Sequence, residues 1–115
     1  MLIPHQKIYT PPIRNRPVSS ILYFRAGVTG TIREVAIYPG GSTTFGNWYF
    51  NVRLNGDPLF SGSNRPKVNG TNPIIKGGLN VPCTQGDTIV LDLEQAGSGS
   101  IAGPTTFIVT IESAG

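Results

Sequence analysis

The one histidine, His5, and the one cysteine, Cys83, are the side chains best suited to acid–base or nucleophilic work. A general base needs an orienting partner and a nucleophile within hydrogen-bond reach. His5 stands beside Pro4 in a proline-rich stretch, a poor place for such positioning, and reads as a contact residue or bystander. Cys83, between Pro82 and Thr84 just before a turn, reads as a half-buried structural thiol. The acids are Glu34, Asp57, Asp87, Asp92, Glu94 and Glu112. Asp92 and Glu94 share one strand face, with Glu112 a candidate neighbour on an adjacent strand. Paired carboxylates can hydrolyse glycosides, but only in a cleft and with one raised pKa. The wet face of a sheet explains these acids with less.

No calcium-loop spacing occurs, and a lone cysteine provides neither an internal disulfide nor a cysteine metal site. Gly97–Gly103 has the spacing G-x-G-x-x-x-G and leads into a strand, so it lacks the helix N-terminus that cradles a phosphate. Asn69-Gly70-Thr71 matches a glycosylation acceptor only formally, since no secretory signal is visible. No catalytic, cofactor-binding or metal-binding residue is assigned, and the expectation is a protein that is not an enzyme. One surface stripe does stand out: Tyr49, Asn51 and Arg53 project opposite Trp48, a combination suited to sugar or protein contact.

The elements that would position these residues are strands. Asn47–Leu54 alternates Trp48, Phe50, Val52 and Leu54 with Tyr49, Asn51 and Arg53, which predicts one buried and one wet face. Asn55-Gly56 follows at once, a strong hairpin signal because both residues tolerate positive φ. Pro58 restricts the return strand to an edge or a strand start. Ser20–Phe24, Thr31–Tyr38, Thr88–Glu94 and Thr105–Glu112 supply four more strands. Residues 61–78 read as a long loop or very short edge strands, and Leu79–Val81 as a brief pairing. Antiparallel strands in this number pack as two sheets or close as a barrel. An all-β, antiparallel β-sandwich of jelly-roll type is expected over residues 19–115.

Residues 1–18 differ from the rest: four prolines exclude a helix and disfavour a central strand. Leu2, Ile3, Ile8, Tyr9 and Ile13 are too apolar for a solvated tail, and Lys7, Arg14 and Arg16 add positive charge. The segment is expected to be an extended arm lying against a partner surface. Charge agrees, since residues 1–33 carry five bases and no acid while the remainder is net −2. The bases are spaced singly, which fits nucleic acid poorly. No apolar run approaches the roughly 20 residues of a membrane span. These features together suggest a soluble protein made in a reducing cytoplasm.

Trp48–Phe60 (WYFNVRLNGDPLF) resembles the hairpin of small β-sandwich modules in tailed-phage virion proteins. Gly86–Glu94 with Thr105–Ile111 resembles their closing strand pair. The resemblance implies an assembly role as a head decoration or cement protein, a head fibre or a tail appendage. The expected partners are then the major capsid protein or other virion subunits, in a homo-oligomer with a trimer favoured. The second reading is a receptor- or carbohydrate-binding module of a tail or fibre, using the Tyr49/Arg53 face or the 61–78 loop.

Overall fold

The computed structural model describes residues 1–10, 13, 18–40, 48–69, 72–95 and 104–114. Ten strands form two antiparallel sheets, with no α-helix among the described residues and one 3₁₀ turn at Gly62–Asn64. The strands are β1 (Leu2–Tyr9), β2 (Val18–Arg25), β3 (Gly30–Tyr38), β4 (Trp48–Leu54) and β5 (Asp57–Pro58). They continue as β6 (Lys67–Val68), β7 (Ile74–Lys76), β8 (Val81–Cys83), β9 (Thr88–Gln95) and β10 (Thr105–Ser113). Sheet A runs β1-β10-β3-β7, with β8 also on β3; sheet B runs β2-β9-β4-β5, with β6 also on β4. Counting β5 with β6 and β7 with β8 as broken single strands leaves eight, four in each sheet, with β4 and the β5–β6 strand the one consecutive pair in the same sheet, the arrangement of a jelly roll.

Period-two patterning decides which side chains enter the space between the sheets. Sheet A contributes Ile32, Val35, Ile37, Phe107, Val109 and Ile111, all buried. Sheet B contributes Trp48, Phe50, Val52, Ile89, Leu91 and Leu93, also buried. These aromatic and branched side chains form one core, which is the main source of stability for a chain this small. At the tip of the β4–β5 hairpin Asn55 and Gly56 have φ of 53° and 91°, the left-handed pair that a two-residue turn requires.

The N-terminal segment is not a separate arm. Leu2–Tyr9 pairs along its whole length with β10, from Leu2↔Glu112 to Tyr9↔Thr105, and Ile13 is buried in the core. The surface that this segment lies against therefore belongs to the same chain, and the boundary expected after residue 18 does not divide two units. Pro4 fits because β1 is an edge strand. The bond from Ser113 N–H to Met1 C=O (2.9 Å) sets the alternation, so Leu2, Pro4, Gln6 and Ile8 turn their nitrogens away from β10. The donor that proline lacks would have pointed outward, and no ladder bond is lost.

The remaining boundaries shift modestly. The pairing expected at Leu79–Val81 falls at Val81–Cys83. Residues 61–78 contain two short strands and the 3₁₀ turn. The expected Gly97–Gly103 loop lies outside the described residues, as do Arg14 and Arg16.

Candidate functional site

The outer face of sheet B carries the stripe expected for surface contact, and most of its bonding capacity is used within the molecule. Asn51 is buried; its Nδ2 donates to Phe60 C=O (2.9 Å) and Glu94 Oε1 (2.9 Å). Its Oδ1 accepts from Val52 N–H (2.9 Å) and Phe60 N–H (3.3 Å). The amide thus stands in for a ladder bond between β5 and β6, where the edge chain leaves β4. With both donors and both lone pairs engaged, Asn51 is a structural residue, not a surface contact.

Arg53 sits at the centre of an ion cluster. Its Nε donates to Asp92 Oδ2 (2.8 Å), its Nη2 to Glu94 Oε2 (2.7 Å) and its Nη1 to Gly56 C=O (3.3 Å). Asp92 Oδ1 also accepts the backbone N–H of Ser20 (2.5 Å), which has φ of 57° at an irregularity in β2. Arg65 approaches Glu94 (3.4 Å), and its guanidinium lies 4.7 Å from the centre of the Tyr49 ring. Lys67 flanks the same ring at 5.8 Å. Burial pushes the Glu94 carboxyl up, but hydrogen bonds from Asn51, Arg53 and Arg65 together hold it below its ordinary value. Hydrogen bonds to Asp92 and Glu94 raise the Arg53 pKa. This is a saturated network, with its charges neutralised in place.

The remaining chemical candidates are similarly occupied. Glu112 joins no carboxylate pair; it lies in sheet A, bound to Arg33 at 2.7 Å. Arg33 also donates to Asn80. Asp87 accepts Thr84 N–H (2.7 Å), and that bond, with one from Asn55, lowers its pKa. Cys83 is buried against Val28 C=O, and burial pushes its thiol up, away from the thiolate a nucleophile needs. His5 Nε2 accepts Gly27 N–H (2.8 Å), leaving Nδ1–H to donate to Ile3 C=O (3.2 Å). Among the described residues, no group of three His, Cys, Asp or Glu could hold a metal ion.

The opposite outer face, on sheet A, was not singled out by sequence and is of another kind. Register places Ile8, Thr106 and Tyr38 in one cross-strand row, and Gln6, Ile108, Ala36 and Ile75 in the next. Ile8, Tyr38 and Ile75 are exposed, at 50%, 39% and 53%. Leu2 is exposed farther along β1, in the row of Glu112 and Thr31. The N-terminal apolar residues thus divide: Ile3, Tyr9 and Ile13 turn toward the sandwich interior, whereas Leu2 and Ile8 face outward. Strand alternation was the available signal for this face, but the prolines of residues 1–18 obscured it.

No protein-family model matches the sequence, and no curated protein matches it. Among solved structures, the native structure of a family 35 carbohydrate binding module from Clostridium thermocellum matches with a TM-score of 0.49 and 15% identity. That match covers 96% of this chain and 99% of the other.

Proposed function

We propose that this protein is a non-catalytic structural subunit that docks onto a larger assembly through the outer face of sheet A, and that the assembly is a phage virion. The observation that carries the docking role is the uncharged cluster of Ile8, Tyr38, Ile108 and Ile75, spread over all four strand positions of one sheet face. Contiguous exposed apolar surface of this kind marks protein contact sites. The virion setting draws its support from the Trp48–Phe60 hairpin and the closing strand pair, as does the choice of a capsid protein or another virion subunit as partner. A structural role also fits the polar groups described above, which hold the fold together.

Deleting residues 1–18 would remove an edge strand and Ile13, so it cannot test docking separately from folding. The test is the double substitution Ile8→Lys with Ile75→Lys, compared with the unmodified chain for incorporation into particles. The expected result is loss of incorporation with an unchanged denaturation midpoint. Incorporation at the original stoichiometry would sink the proposal.

A further inference from the structure

As an edge strand, β1 has β10 as its only ladder partner. Among the described residues, one hydrogen bond joins β1 to any other element: Gly27 N–H gives to His5 Nε2 (2.8 Å). Gly27 lies in the turn between β2 and β3, where the chain passes from one sheet to the other. His5 turns inward there, opposite the buried Val109. Its ring stacks on Phe24 with centroids 6.3 Å apart, and Phe24 meets Phe107 edge-on at 6.0 Å. A methyl group at position 27 would come within 3.0 Å of Nε2, so the bare glycine is what lets the ring seat against the backbone.

The two contacts of the ring fix its state. A backbone carbonyl can only accept, so Nδ1 must carry the hydrogen that it gives to Ile3 C=O (3.2 Å). A backbone N–H can only donate, so Nε2 must be bare. Only the neutral ring with its hydrogen on Nδ1 meets both demands. A second proton, on Nε2, would set one N–H against another in a partly buried site.

No carboxylate faces the ring to offset such a charge. From β10 the inward neighbours Phe107, Val109 and Ile111 are uncharged. From β2 comes Phe24; Arg25, beside it, turns to the outer face and gives an N–H to Gly86 C=O. Residues 26–29 of the turn carry no titratable group. Behind the turn, Asp87 takes Ala26 N–H through its backbone oxygen while its carboxylate holds Thr84 N–H, and Cys83 lies on Val28 C=O. On β1 itself, Lys7 and Tyr9 share the inward face and the Met1 ammonium precedes the strand.

We propose that His5 is an acid-released latch: neutral, it fastens β1 to the β2–β3 turn, and protonated on Nε2 it lets go, leaving the strand to β10 alone. Histidine is the side chain that ordinarily changes charge between about pH 5 and 8. The open strand takes the proton more readily than the latched one, so opening grows as pH falls. Leu2 and Ile8 ride on the outer side of the same strand, so acid would also disorder that edge of the docking face. This last consequence rests on the docking reading; the latch does not, and it is tested on the isolated chain.

Nitrogen-15 NMR of the full chain at about pH 8 should show a bare Nε2 and a protonated Nδ1 on His5. Hydrogen exchange from about pH 8 to pH 5 then follows the amides of Ile3, His5, Lys7 and Tyr9, each corrected for intrinsic rate and compared with those of β9. That ratio should rise about tenfold or more on acidification. His5→Gln keeps an acceptor oxygen for Gly27 but cannot titrate, and its ratio should stay level. A hydrogen on Nε2 at the high-pH end, a level ratio in the unmodified chain, or an equal rise in His5→Gln would overturn the proposal. The first two readings need no variant, so they decide the matter even if the glutamine chain folds poorly.

Discussion

The two outer faces of this sandwich are built from strands of similar length and yet put their side chains to opposite uses. On sheet B, Asn51, Arg53, Asp92, Glu94 and Arg65 bond one another and fasten the chain that leaves β5 onto β4. On sheet A, Ile8, Tyr38, Ile108 and Ile75 sit side by side with no such network among the described residues, the Arg33–Glu112 pair lying farther along the strands. A polar face can be inert toward partners because its groups already have them. An apolar face can be available because water is its only neighbour. Chemical variety in a stripe of residues is therefore a poor guide to binding; the unused bonding capacity or unburied area is a better one.

The sharpest way to break this contrast is Asn51→Ala. It strips partners from the backbone of Phe60 and from Glu94, and should cost about 3 kcal/mol, since several buried polar groups lose a bond at once. Urea denaturation would measure it. A change under about 0.5 kcal/mol, the usual range of an ordinary surface position, would mean that the sheet B face is not the fastening described here.

A smaller effect should appear on acidification. The folded Glu94 carboxyl ionises below its ordinary value of 4.5, so the unfolded chain takes up the proton first as pH falls. The stabilisation is thus fully present above the unfolded value and is lost as pH drops through the folded one. Asp87, lowered from 3.8, adds a slope of the same sign. Glu94→Gln should flatten the fall in denaturation midpoint below about pH 4.5, leaving the Asp87 part. An unaltered slope would remove Glu94 from the network.

The smallest effect on stability belongs to the other face. Ile8→Lys and Ile75→Lys should each shift the unfolding free energy by no more than about 0.5 kcal/mol, while abolishing whatever association the face supports. Light scattering and urea denaturation on the same samples would check both halves. A large loss of stability would mean that these side chains pack within the fold more than their exposure indicates.

Legibility followed the range of the interactions. The β4–β5 hairpin was readable because alternation and Asn55-Gly56 are local signals, and the structure has the turn at those residues. The Tyr49/Asn51/Arg53 face was readable for the same reason. Its engagement was not, because it depends on the register Asn51↔Asp92 and on Arg65 returning from a glycine- and serine-rich stretch. β1 was hidden by Pro4 and by the prolines that follow the strand. A proline argues against a strand until it is known that the strand is an edge and that the nitrogen points outward, and both facts require β10.

The pairing of β1 with β10 also orders events in time. During synthesis Leu2–Tyr9 emerges well before its neighbour, Thr105–Glu112, because nearly all the other strands lie between them. Sheet A can be completed only after β10 has been made, which makes its closure a long-range and comparatively slow step. Until then the outward-facing Ile8 and the inward-facing Ile3 and Tyr9 share the same solvent exposure. A nascent chain stalled before Thr105 would hold its first strand ready for the wrong partner.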